Sequence, residues 1–179
     1  MLASSVQQAI NDQINNEFSA SHAYLAMSIF CQRQNFVGCA HWLRVQAKEE
    51  NGHGMRLLDF LLARDGAAAL KTVPQPAGNF ATIAAVFEQA LEQEQHVSKQ
   101  IDDLYELALK EKSFSALVEL QWFINEQVEE EETAREIVGK FHLVKGDPAA
   151  LLDIDRELGA RTASSGTSGQ HAISRHRSE

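Results

Sequence analysis

Four stretches of this 179-residue chain place apolar residues at alternating steps of four and three, and each breaks its own apolar stripe near the middle with a metal-binding side chain. The first, residues 5–34, carries Ile10, Ile14, Glu17, Ser21, Tyr24 and Ser28 on one row. The second, residues 38–64, carries Leu43, Gln46, Glu50, His53, Leu57 and Leu61 before an Asp65-Gly66 stop. A third runs Ile83, Phe87, Ala90, Glu94, Val97, Ile101, Leu104 and Ala108. The fourth runs Ala116, Leu120, Phe123, Gln127, Glu130, Ala134, Ile137, Phe141 and Val144. Such spacing lines up one face of a helix, so the chain is expected to be all-α, with four long helices sharing a core.

Connection lengths fix how those helices are joined. Only a few residues separate the first two, which makes them antiparallel neighbours. Residues 66–80, with Pro74, Pro76 and Gly78, show no helical pattern. A helix of about 28 residues is roughly 42 Å long, and about 15 extended residues reach roughly 50 Å. The link is therefore expected to cross the full length of a four-helix bundle, leaving helices two and three parallel. Lys112-Ser113 marks the next break, with Ser113 as the expected N-cap, and Asp147-Pro148 opens a short fifth helix through Leu158. The expected organisation is one domain over residues 1–160 and a flexible tail over 161–179, where Ser, Gly, His and Arg dominate.

The polar intruders converge on one layer. With helix midpoints near residues 19, 51, 96 and 129, each intruder lies within about three residues of its midpoint, some 4 Å of axial rise. Buried and unpaired, Glu17, Glu50, Glu94 and Glu130 would each cost several kcal/mol, together comparable with a domain's whole stability of about 5–15 kcal/mol. No lysine or arginine occupies the inward stripes to offset them. Two divalent cations, bringing about four positive charges, would balance four carboxylates and a neutral imidazole. An outward rotation of the helices would make any single glutamate a surface charge. Four segments breaking pattern in one layer, with Glu50 and His53 in i, i+3 relation, favour metal, and a carboxylate-rich set with one imidazole suits iron or manganese, of which iron is expected. Glu49, Glu126 and Glu129 adjoin these residues and read either as ligands of a third cation or as an exposed acidic rim. Tyr24 reads either as a hydrogen-bond or redox partner of the layer or as an ordinary buried tyrosine. His22, His41, His96 and His142 have no partner at ligand spacing, and Trp42 and Trp122 read as packing residues.

Composition excludes other classes. A formal charge of -9 with no basic stripe argues against nucleic acid or an anionic membrane as partner. No stretch approaches the roughly 18 apolar residues of a membrane span, and the N-terminus lacks the basic-then-apolar pattern of a signal peptide, so a cytoplasmic location is expected. Cys31 and Cys39 are too few for a disulfide framework and read as buried, reduced thiols.

Taken in order, Glu17 and Tyr24, Lys48-Glu49-Glu50-x-x-His53, Glu94, and Asn125-Glu126-Gln127-x-x-Glu130 resemble the ferritins, specifically their non-haem bacterial type, over residues 5–160. The resemblance implies a homo-oligomeric shell of about 24 subunits, a ferroxidase centre in each bundle and a ferric mineral inside. It implies that Glu17, Glu50 and His53 bind a first iron, that a bridging Glu50 with Glu94 and Glu130 serves a second, and that Gln127 lines the centre. Glu49, Glu126 and Glu129 match the ligands of a third site. The haem-binding bacterioferritins fit less well, because they carry a second Glu-x-x-His and a methionine just after the bridging glutamate. This chain has Gln127 followed three residues on by Glu130, and Asn51 in the methionine position, so no haem is expected. The twelve-subunit relatives lack a fifth helix. One departure concerns iron entry: animal shells line threefold pores with carboxylates where this chain has Leu117 and Leu120.

The activity this implies is oxidation of Fe(II) by dioxygen or peroxide, followed by storage of Fe(III). Two other readings compete. A di-iron oxidase acting on an organic substrate usually carries two Glu-x-x-His pairs, and this chain has one. A shell subunit that only nucleates mineral would lack the ligands present here.

Overall fold

A computed structural model describes residues 2–162 of the chain; of the tail expected over 161–179, Arg161 is held by hydrogen bonds, and residues 163–179, with His171 and His176, lie outside the described residues. Five helices follow in order: α1 (Ser4–Arg33), α2 (Val37–Ala63), α3 (Ile83–Lys110), α4 (Phe114–Val144) and α5 (Pro148–Gly159). The four long helices match the four apolar rows to within a few residues at each end.

The helix ends share a local device. Asn35, Asp65 and Lys112 take left-handed backbone angles with φ of 64°, 58° and 53°. Each lets the next residue's N–H reach back to a helix carbonyl: Phe36 to Cys31 at 3.0 Å, Gly66 to Leu61 at 2.9 Å and Ser113 to Ala108 at 2.8 Å. At the helix starts, Thr82 accepts from the Ala85 N–H and Asp147 from the Ala149 N–H, ahead of Pro148. Ser113 stands at the N-cap of α4 but makes no side-chain cap bond there, contrary to expectation. Its carbonyl receives the Ala116 and Leu117 N–H groups, as an N-cap carbonyl does.

Side-chain pairs give the helix directions. Ser21 donates to the Ala47 carbonyl and Ser28 to that of Ala40, so α1 and α2 are antiparallel. Gln46 meets Glu130, His53 meets Trp122 and Arg56 meets Glu119, so α2 and α4 are antiparallel. Phe87 stacks on Phe141 and Gln127 reaches Glu94, so α3 and α4 are antiparallel too. Helices α2 and α3 therefore run parallel, and the segment from Arg64 to Thr82 must traverse the bundle.

That segment has no helix or strand of its own, and two asparagines of α1 bond its backbone over residues 67–71. Asn11 donates to the Ala67 carbonyl and accepts from the Ala69 N–H; Asn15 donates to the Ala69 carbonyl and accepts from the Lys71 N–H. Over residues 67–71 these side chains stand in for a neighbouring strand.

The core has two apolar halves. One gathers Tyr24, Met27, Leu43, Phe87, Phe141 and Ile154. The other gathers Ile10, Ile14, Leu57, Ile101, Leu120 and Phe123. Each fully buried side chain of this size contributes about 1.5–3 kcal/mol. Between the two halves lies a layer of buried polar residues: Glu17, Glu50, His53, Glu94, Gln127 and Glu130.

Candidate metal centre

All four helices deliver their polar residues to the same height because each interruption falls near a helix midpoint: beside Phe18 in α1, at Glu50 in α2, beside His96 in α3 and at Glu129 in α4. Glu17, Glu50 and His53 are buried, and one ligand atom from each lies within 4.8 Å of the others. His53 Nδ1 stands 3.3 Å from Glu50 Oε2, as the i, i+3 spacing requires. On the far side of Glu50, Tyr24 donates its hydroxyl to Glu94 Oε1. Gln127 donates to the carbonyl of Glu94 at 3.2 Å and to its Oε2 at 3.3 Å. Gln46 ties the halves of the layer together, donating to Glu130 Oε2 at 2.7 Å and to Glu50 Oε1 at 3.4 Å.

The electrostatics of this layer are those of a site built for cations. Burial pushes the carboxyl of Glu17 up to about 8, and the neighbouring Glu50 pushes the same way. Burial, then the charge of Glu130, takes Glu50 to about 8. Glu94 rises to about 8 through burial and Glu50, and Glu130 to about 7 through burial and Glu94. The Tyr24 hydroxyl is pushed well up by burial and by Glu94, so it donates as a neutral phenol. Glu17 Oε2 is buried with no hydrogen-bond partner, although Gln13 donates to Oε1 of the same carboxyl at 2.8 Å. An unpartnered buried carboxylate oxygen, in reach of a second carboxylate and an imidazole, is what a divalent cation would satisfy.

These raised values have a testable sign. Between about pH 4.5 and 8, or about 7 for Glu130, the folded, metal-free protein holds protons on these groups that the unfolded chain has released. Their contribution to stability is therefore full below about pH 4.5 and is lost as the pH rises towards 8. Cations must displace the same protons. Anaerobic zinc(II) binding at pH 7 is expected to release roughly three protons per subunit, and fewer than one at pH 9. Titration in two buffers of different ionisation enthalpy reads the count, and pH-independent release would sink the assignment.

The three flanking carboxylates are spread out. Glu49 and Glu126 are half-buried and Glu129 is exposed. Glu126 is held above the usual carboxylate range by its burial, against the pull of His53, and is pushed further up by Glu129 and Glu49. Two sulfur atoms need no further role: Cys31 and Cys39 are unbridged and buried, with burial raising Cys31 to about 12. Trp42 is buried against Tyr24 and Phe87, while Trp122 packs edge-on to His53 at 5.4 Å. Leu120 is buried in the core and Leu117 packs against it.

Three residues that contact this layer were given no role from the sequence, although Gln46 stands on the inward row of α2. Gln13 and Gln46 each stand one helical turn before a site glutamate, Glu17 and Glu50, and that shared i, i+4 spacing is the signal that could have found them. The third is Arg161, beyond the end of α5, whose guanidinium donates to Gln46 Oε1 at 2.6 Å and to Glu49 Oε2 at 2.5 Å. Nothing in the local sequence marks it.

Comparison with known proteins agrees with this geometry. The family model of the ferritin-like domain matches residues 7–144. A bacterial non-heme ferritin of Staphylococcus aureus strain USA300 is 36% identical over 162 residues, covering 90% of this chain and 98% of that one. Its counterpart from Staphylococcus haemolyticus strain JCSC1435 is equally similar, at 36% over 162 residues. Among solved structures, an open pore ferritin from the hyperthermophilic archaeon Archaeoglobus fulgidus superposes with a TM-score of 0.89 at 38% identity, covering 90% of this chain and 99% of that one. A form of the Archaeoglobus protein closed by site-directed mutagenesis gives the same TM-score, 0.89. The chain belongs to the ferritin family, with the bacterial non-haem ferritins as its relatives.

Proposed function

We propose that this protein stores iron, oxidising Fe(II) at the buried layer and holding the Fe(III) product as a mineral inside an oligomeric shell. The observation that carries this reading is the trio of Glu17, Glu50 and His53, buried with ligand atoms within 4.8 Å and one carboxylate oxygen unpartnered. Glu17, Glu50 and His53 hold the first Fe(II); Glu50 also faces the second, which Glu94 and Glu130 complete. Gln127 and Tyr24 orient Glu94, and Gln46 orients Glu130. Two Fe(II) ions held together supply two electrons, which reduce dioxygen to hydrogen peroxide or hydrogen peroxide to two waters, with protons taken from solvent. Glu49, Glu126 and Glu129 accept a third cation beside the pair. The residues that mark a haem-binding relative are missing, so the centre works without haem.

The family relationship implies a shell, and we take it to have about 24 copies of this chain. Exposed apolar side chains on the helices, among them Ile29, Phe114, Val118 and Leu143, are the surface such an assembly would cover. No helix among the described residues is long and apolar enough to cross a membrane, and the working location is the cytoplasm. The domain comprises residues 1–160. One titration tests the whole reading: anaerobic Fe(II) is added, oxygen follows, and absorbance is recorded with particle mass measured on the same sample. About two rapidly oxidised irons per subunit in a particle of about 24 subunits is expected. A monomer that oxidises no iron would overturn it.

A further inference from the structure

Gln46 reaches both sides of the polar layer, and the direction in which its amide points is set from outside the four-helix bundle. The side chain is fully buried. Its Nε2 donates to Glu130 Oε2 at 2.7 Å and, more weakly, to Glu50 Oε1 at 3.4 Å. Its Oε1 accepts from Arg161 Nη1 at 2.6 Å. The two ends of a glutamine amide have nearly the same shape, so hydrogen-bond partners decide which way it points. Arg161 removes the choice: a guanidinium carries donors and no acceptor, so the end of Gln46 that faces it must be the oxygen. The NH2 group is then left to face Glu130 and Glu50.

The guanidinium is itself anchored. It lies 4.5 Å above the Trp42 ring, has a side-chain exposure of 22%, and donates its other arm to Glu49 Oε2 at 2.5 Å. His41 Nε2 donates to the Arg161 carbonyl at 2.8 Å, and α5 is fixed on α2 by Asp155, which accepts the Cys39 N–H at 2.8 Å. We propose that Arg161 is a positioning residue for the second cation: it locks the Gln46 amide with its NH2 group inward, and Gln46 in turn holds Glu130 by one oxygen and leaves the other for the ion. Turned the other way, the amide oxygen would stand against Glu130 Oε2, two acceptors face to face, and the carboxylate would swing off its position. The return of α5 thus completes a centre whose ligands all lie on α1 to α4. This inference rests on the di-cation reading above. The shorter of the two Gln46 bonds goes to Glu130, so the effect falls on the second ion and not on the one held by Glu17, Glu50 and His53.

The test uses the full chain in its assembled state and zinc(II) alone as a redox-inert probe, with calorimetry reporting each dissociation constant. Wild type is expected to take two ions tightly. Arg161→Ala should leave the first constant within about twofold and weaken the second about tenfold, the effect of losing a residue that orients a metal ligand. Arg161→Lys keeps a donor that cannot accept, so it should stay within about threefold of wild type, a rescue that packing alone would not give. Arg161→Gln brings an acceptor as well as donors, frees the amide to turn, and should weaken the second ion about as much as alanine; it serves where the alanine variant does not assemble. In a Gln46→Leu background the second ion is already weakened and Arg161→Ala should add nothing, which assigns the effect to this relay and not to Glu49. Fe(II) oxidation should divide in the same way: in Arg161→Ala the half-saturating iron concentration rises about tenfold while the initial rate at saturating iron stays within about twofold. An unchanged second constant in Arg161→Ala and Arg161→Gln, with both ions still bound, overturns the inference alone, and so does an undiminished loss in the Gln46→Leu background. A wild type that binds no tight pair overturns the di-cation reading, and this inference with it.

Discussion

Replacing Glu50 with alanine lowers the initial rate of Fe(II) oxidation by at least about a hundredfold, and His53→Ala does the same, while the shell stays assembled. The expectation follows from where Glu50 stands. Its ligand atom shares the tight group with Glu17 and His53, its charge raises Glu17 and Glu94, and Gln46 links it to Glu130. Gln46 also reaches both halves, but as a hydrogen-bond donor; Glu50 is the carboxylate proposed to face both ions, so its loss would separate them. Loss of a mere orienting partner typically costs ten- to a hundredfold in a metal site, so about a hundredfold is a lower bound for a residue proposed to bridge two ions. Stability should move little in the metal-free protein, because the cavity left behind is offset by the removal of a buried acid. Glu50→Gln, which keeps the volume and removes the charge, separates these effects and should be as slow as alanine. Stopped-flow absorbance reads the rate and size-exclusion chromatography the assembly; unchanged rates in an intact shell would discard the assignment.

The same residue shows why so much of the centre was legible from residue order. Apolar rows at 4-3 spacing define which face of each helix is inward, and an ionisable group on that face must be buried once the helix packs. Glu17, Glu50, Glu94 and Glu130 obey that rule and are all buried. Parallel α2 and α3 were legible because a link the length of a helix has one economical use. Ser113 stands at the N-cap as read, but the absence of its side-chain bond was not legible, because that bond depends on φ and ψ, which composition does not report. Glu49, Glu126 and Glu129 were left as either ligands or a rim, since they lie at the edge of the inward face where helical phase is ambiguous. Arg161 was invisible for a different reason. It is 112 residues from Glu49 in sequence, follows the last predicted helix, and acquires its partners only because α5 folds back on α2.

That return of α5 hangs on one glycine. A Cβ built on Gly38 would lie 1.7 Å from the Asp155 carbonyl oxygen and 2.7 Å from its carbonyl carbon, both backbone atoms that no rotamer change can move. Gly159 faces the same spot, where its own Cβ would be 3.1 Å from the Gly38 Cα. Two glycines thus let two backbones meet, and the meeting places Asp155 to receive the Cys39 N–H. Gly38→Ala is therefore expected to push α5 off α2 at a cost of about 3 kcal/mol, which lowers the melting temperature by roughly 10 °C. The displacement strips the Cys39 amide of its cap, draws Arg161 away from Gln46 and Glu49, and opens the apolar half that Ile154 and Leu158 close. Gly52→Ala is the control, since a Cβ there meets nothing within 4 Å and should stabilise the exposed helix by roughly 0.5–1 kcal/mol. Hydrogen exchange gives the local readout: α5 amides should exchange much faster in Gly38→Ala, while those around Glu17, Glu94 and Glu130 stay protected. Fast oxidation of the tight iron pair should survive, because every residue proposed to hold it lies on α1 to α4. Unchanged α5 protection in Gly38→Ala would show that the close approach of α2 and α5 does not hold the fifth helix in place.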